Sequence, residues 1–237
     1  MMMTRGAFLF VCVAACATPA PATSERSDDT TVCGAGPTVK GVDVSYYQGT
    51  IDWAAVKGDG VEYAFVRVSD GTGFEDPKFQ ANWDGTRAAG IYRGAYQFFR
   101  PNQDPIAQAD LLVDTMGPLD DGDLAPVIDV EATGGLSSTA VATKINTWVA
   151  RVAARTGRTP IVYTGKYFWR DQVGGSTSQR DSALWVAQYT SLCPDIPAPW
   201  TRWTFWQHTD RGAVPGIDGS VDLDLFAGTL GELTAER

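Results

Sequence analysis

The chain has 237 residues, enough for one domain with a full core, and its 28 acidic against 19 basic side chains give a formal charge of −9. That balance argues against a nucleic-acid partner and against a polybasic membrane contact. Its single histidine, His208, excludes a multi-histidine zinc site and leaves a Ser-His-Asp mechanism only one residue to run through.

Residues 1–15 have the form of an export signal. Arg5 supplies a positive start, and residues 6–15 form a mostly apolar run too short to span a bilayer. The run ends Val13-Ala14-Ala15-Cys16, which resembles a bacterial lipobox, so Cys16 is the expected lipidation site and the product a lipid-anchored envelope protein. Cleavage after Ala20 or Ala22 would instead release a freely secreted one. Residues 16–38 are rich in Ala, Pro, Thr, Ser and Asp, show no periodicity and read as a flexible tether. With Cys12 removed and Cys16 lipidated, Cys33 and Cys193 remain as an even pair in an oxidising compartment. A disulfide between them is expected.

From residue 39 to 237 the pattern is regular. Short β-type runs at 39–45, 63–69, 92–98, 125–131, 160–164, 184–189, 203–207 and 221–225 alternate with helical stretches at 52–57, 78–89, 105–116 and 138–156. The last helix is the clearest, with Val141, Ile145, Trp148, Val149 and Val152 at helical spacing. The later connections are rich in Gly, Pro and Ser and show no long amphipathic pattern. Eight strands with so few helices predict a single α/β domain, a parallel, TIM-like barrel whose second half is poorly clothed.

The strand 125–131 organises the rest. It ends Asp129-Val130-Glu131, and alternation puts both carboxylates and Val127 on one face, the acids about 6–7 Å apart, with Ile128 and Val130 on the other. Two neighbouring acids on a buried strand raise one pKa. The result is a protonated acid beside an ionised partner, the division of labour that glycosidic cleavage uses. Taken alone, such a pair more often marks a strand end meeting solvent or an arginine. The other strand ends shift the balance. Asp43 and Ser45 share a face on the first strand, Tyr96 and Gln97 close the third, Tyr163 lies on the fifth, Trp185, Gln188 and Tyr189 on the sixth, and Trp206 and Gln207 on the seventh. In the last, Val221, Leu223 and Leu225 alternate with Asp222 and Asp224, so one face is apolar and the other acidic. Strand ends gathered at one barrel mouth would form an acidic, aromatic-lined pocket suited to a sugar polymer.

Several of these stretches are recognisable. Gly41-Val42-Asp43-Val44-Ser45, Gln48-Gly49 and Ile51-Asp52-Trp53 resemble the opening of glycoside hydrolase family 25 lysozymes. The run 94–101 followed by Asp104-Pro105 is similar to that family's third strand and the helix after it. Asp129-Val130-Glu131 is similar to its D-x-E, and Val221-Asp222-Leu223-Asp224 to its last-strand acid. The resemblance covers residues 39–228. It implies a flattened barrel with fewer than eight helices and an N-acetylmuramidase that cuts the β-1,4 bond between N-acetylmuramic acid and N-acetylglucosamine in peptidoglycan. It also implies Glu131 as general acid/base, Asp129 as its partner carboxylate, and Asp43 and Asp222 completing the acidic cluster. Tyr96, Trp185, Gln188, Tyr189 and Trp206 would line the groove, joined by Tyr163. Asp224 stands where many members carry Asn and is given no catalytic role. Gln97 stands where many carry His, which puts one sugar contact in question. The expected mechanism needs no metal and no cofactor, and a monomer is the default. Two other classes fit the acids less well: a barrel that grips peptidoglycan without cutting it, and a metal-dependent phosphodiesterase barrel.

Overall fold

The computed structural model describes residues 30–234. Eight strands form a closed barrel in chain order: β1 (Thr38–Val44), β2 (Tyr63–Asp70), β3 (Tyr92–Phe98), β4 (Val127–Asp129), β5 (Ile161–Gly165), β6 (Leu184–Ala187), β7 (Phe205–Gly212) and β8 (Val221–Ala227). β1 through β7 pair in parallel. β8 corrects the expected parallel barrel, because it runs antiparallel to both β7 and β1. Its cause is the connection at 213–220, which is too short for the crossover of a dozen or more residues that parallel neighbours need. The chain turns back as a hairpin instead.

Among the described residues there are six helices: α1 (Trp53–Gly58), α2 (Phe79–Ala88), α3 (Pro105–Met116), α4 (Ser138–Thr156), α5 (Lys166–Gln172) and α6 (Leu230–Leu233). The short α5 and α6 lack an amphipathic period and were not predicted. The longer ones start where local chemistry dictates. Asp52 caps α1 through its Oδ1, which accepts from the Ala54 and Ala55 N–H groups at 3.1 Å. Asp104 caps α3 just before Pro105, and Ser137 caps α4. Gly157, at φ 72°, ends α4 in the left-handed conformation that favours glycine.

Alternation along the strands sorts the core into two layers. Val42, Val44, Ala64, Val66, Ile128, Val130, Val162 and Val186 face outward and pack under the helices, including Val141, Ile145, Trp148 and Val152 of α4. Tyr63, Phe65, Val127, Tyr163, Trp185, Phe205 and Phe226 fill the interior. Phe65 stacks on Trp185 with ring centroids 4.4 Å apart, and Tyr163 meets Trp185 edge-on at 4.5 Å. Gly41 and Gly94 make room for these rings. A Cβ on Gly41 would lie 2.2 Å from the Tyr63 ring, and one on Gly94 2.6 Å from Phe65.

The predicted lipidation site, Cys16, and the signal lie outside the described residues. The end of the expected 16–38 tether is docked rather than free: Thr30–Thr31 pairs with Asp195–Ile196, and Cys33 is bonded to Cys193 with Cα atoms 4.8 Å apart.

Candidate active site

Parallel strands deliver their C-terminal ends to one face of the barrel, and that face holds a cavity of about 420 Å³. β4 contributes Asp129 and, just past its end, Glu131. β1 contributes Asp43. β8 contributes Asp222 from its beginning, because an antiparallel strand brings its N-terminal end to the mouth. Asp222 pairs in register with Asp43, and Asp224 lies one step deeper opposite Gly41. The apolar and acidic faces read from the sequence of the last strand are thus the outer and inner faces of β8.

The carboxyls form two groups. Asp129 is buried, whereas Glu131 reaches solvent at the rim. Burial raises the Asp129 carboxyl well above its ordinary range, Glu131's charge and hydrogen bond add to this, and the Arg67 guanidinium opposes it. Burial raises Glu131 too, although its hydrogen bond with Asp129 pulls the other way. Burial and the hydrogen bond between them thus favour the proton on Asp129 over Glu131 in the unliganded molecule. Across the mouth, burial followed by the charges of Asp224 and Asp222 raises Asp43, with the Gln207 hydrogen bond opposing. Asp222 is pushed up to about 6, by burial and then by Asp210. Asp224, fully buried, is raised by burial against the hydrogen bond from Trp185. Asp129 Oδ1 and Asp224 Oδ2 are buried with no conventional donor. Glu131 is the carboxyl that neighbours Asp129, and Asp43 one that neighbours Asp224.

Gln207 links the two sides. Its Nε2 donates to Asp43 Oδ2 at 2.8 Å, and its Oε1 accepts from the Tyr163 and Tyr189 hydroxyls at 2.9 and 3.0 Å. Trp185 forms part of the cavity floor and donates from Nε1 to Asp224 Oδ1 at 2.9 Å. On the β2–β3 side Arg67, Asp70, Phe98 and Arg100 complete the wall, and Arg100 grips Asp70 through two nitrogens, the longer bond 2.6 Å.

The structure brings Asp43, Asp129, Glu131, Asp222, Tyr96, Tyr163, Trp185 and Tyr189 to this one cavity. Two expected lining residues are elsewhere. Trp206 faces the outer layer beside Trp203, because alternation that turns Phe205 and Gln207 inward turns their neighbour out. Gln188 lies past the end of β6, where its Oε1 accepts from the Asp195 N–H at 2.6 Å and its carbonyl from Trp206 Nε1. Gln97 is outward as well. Its Nε2 donates to Ser69 Oγ and its Oε1 accepts from Trp148 Nε1 at 2.7 Å, so this position holds the helix layer and meets no sugar. His208 sits at a bulge within β7, half buried against the Trp206 ring, where burial lowers its pKa. Arg67, Asp70, Arg100 and Tyr47 were not singled out from the sequence. Arg67 was within reach, since it shares alternation parity with Tyr63 and Phe65, and an arginine on an inward face calls for a partner.

Comparison with known proteins places this geometry. Residues 42–217 match the family described as "Glycosyl hydrolases family 25". Lysozyme M1 of Streptomyces globisporus is 38% identical over 207 residues, 83% of this chain and 70% of that protein. An uncharacterised Escherichia coli protein, YegX, is 38% identical over 201 residues, covering 83% of this chain and 72% of its own length. The crystal structure of a lysozyme from Streptomyces coelicolor superposes with a TM-score of 0.80 at 37% identity, over 84% of this chain and 96% of that one.

Proposed function

The chain belongs to glycosyl hydrolase family 25, and from that membership we propose how it hydrolyses peptidoglycan: Glu131 and Asp129 cleave the β-1,4 bond between N-acetylmuramic acid and N-acetylglucosamine. The observation that carries this reading is the neighbouring carboxyl pair in the mouth cavity, one member buried and the other at the rim, with burial raising both. Glu131 is the member a glycosidic oxygen can reach, so it donates the proton. Asp129 passes its own proton along their hydrogen bond and becomes a carboxylate as positive charge develops on the sugar. Asp43 and Asp222 face the same space from the opposite wall. The 2-acetamido group of the substrate gives a retaining route, and Asp222 or Asp43 activating water gives an inverting one. The anomer first released, read by NMR, assigns the route. Tyr163, Trp185 and Tyr189 support the sugar rings by stacking and hydrogen bonding. For the N-terminal region we propose lipidation at Cys16 and anchoring in the envelope, testable by labelling with a palmitate analogue.

The deciding experiment is release of soluble muropeptides from purified peptidoglycan in EDTA, with Glu131→Gln beside the parent. Borohydride reduction and mass spectrometry should find reduced N-acetylmuramic acid for the parent and none for the folded variant. Binding without release would favour a non-catalytic wall-binding barrel. Activity that returns only with a divalent metal would favour the phosphodiesterase alternative.

A further inference from the structure

One cluster at the mouth takes no part in the reaction above. Tyr46 and Tyr47 follow β1, and Phe74 lies in the short strand Phe74–Glu75 that pairs back onto the end of β2. Tyr47 is 72% exposed and Phe74 39% exposed. The rings form one group, with Tyr46 centred 4.2 Å from Tyr47 and 5.3 Å from Phe74. The Arg67 guanidinium stands 5.1, 5.5 and 5.6 Å from the Tyr46, Tyr47 and Phe74 rings. Arg67 is itself held by buried Asp76, whose Oδ2 accepts from Arg67 Nε and the Tyr46 N–H at 3.0 Å each, while Oδ1 accepts from the Lys78 N–H at 2.9 Å. Exposed aromatic rings packed on a locked cation are pre-organised contact area, and such a patch marks a binding surface.

We propose that Tyr47 and Phe74 form a sugar-binding subsite that holds the glycan strand away from the bond being cut. The inference rests on the glycan-cleaving reading above. Tyr47 also lines the catalytic cavity, so the platform continues that cavity outward. The two rings rise from β1 and β2, three and two strands round the barrel from β4. Phe74, unlike Tyr47, does not line the cavity that holds Glu131, so the platform leads out of that cavity. The chemistry favours a neutral ring. Pyranose faces stack on aromatics, whereas Arg67 and Arg100, the cations beside the rings, are already paired with Asp76 and Asp70 and so are poorly placed to take the carboxylates of a stem peptide.

The test compares kcat/KM on long peptide-free glycan strands with that on a tetrasaccharide of the same repeat, for the parent, the Tyr47→Ala/Phe74→Ala double variant and Tyr47→Trp. Affinity for long strands is measured alongside by calorimetry, with and without the double substitution in a Glu131→Gln background. The parent should prefer long strands. The double variant should lose about tenfold of that preference, with a matching loss of affinity, and Tyr47→Trp should keep both. A parent with no length preference, or a double variant with unchanged preference and affinity, would overturn the proposal. So would an effect confined to strands that still carry peptides. Should the parent cut neither substrate, the muramidase reading fails, and calorimetry still decides whether the platform binds glycan.

Discussion

Replacing Asp224 with Asn should make stability less sensitive to pH. Asp224 is fully buried on β8, with Oδ1 bonded to Trp185 Nε1 at 2.9 Å and Oδ2 near Asp43. Burial, followed by the charge of Asp222 and opposed by the Trp185 bond, holds its carboxyl well above the ordinary range. Between the unfolded value near 4 and the folded one, the native chain keeps a proton that the unfolded chain has released. Stability from this group is therefore complete below the unfolded value and is lost as pH rises through the folded one. One such proton costs about 1.4 kcal/mol for each pH unit in that window. For a domain of this size that is about 3–6 °C of Tm per unit. Asn keeps the acceptor for Trp185, offers Asp43 an N–H and cannot ionise. Thermal melts at pH 4 to 8 should show Asp224→Asn gaining on the parent steadily as pH rises, with little difference at pH 4. A Tm difference that stays constant across the range would refute the reasoning, because it would mean that the folded and unfolded chains bind the same number of protons at this position.

Two further predictions test the cavity. Gln207→Leu removes the donor to Asp43 and the acceptor for Tyr163. Urea unfolding should show a loss on the order of 1–3 kcal/mol for each of these two buried groups left unpaired, together with reduced turnover; unchanged stability would mean that water replaces the amide. The pH profile of kcat/KM should fall on the alkaline side as the Asp129–Glu131 pair gives up its one proton. Burial raises both carboxyls, so that limb should lie above the ordinary carboxylate range; a limb near pH 4 would deny the pair its shared proton.

The sequence and the structure agree where alternation decides. Val127, Asp129 and Glu131 share a face, and Asp222 and Asp224 turn inward while Val221, Leu223 and Leu225 pack outside, as strict period-two reading requires. The same rule also applied to Trp206 and Gln97. Family likeness put Trp206 in the groove and left the sugar contact of Gln97 in question, but parity opposite to that of Phe205 and Tyr96 turns both away. What stayed hidden depends on pairings between distant segments. Gln207 gains its importance only when β7 meets Asp43 across the barrel. Arg67 similarly acquires its setting from Asp76 and from rings on two separate loops.

The reversed last strand has an architectural consequence. Because β8 descends from the mouth, Ala227 finishes beside Thr38, its register partner at the start of β1. The first and last strands of the barrel thus meet on the face opposite the cavity. A short peptide joining them would permit circular permutation, with new ends opened in an exposed helix connection. A bead, fusion partner or surface display scaffold attached after β8 would leave the mouth facing outward, whereas the chain before β1 runs by Thr30–Thr31 to Asp195, beside Gln188 and Lys166 at the mouth ends of β6 and β5.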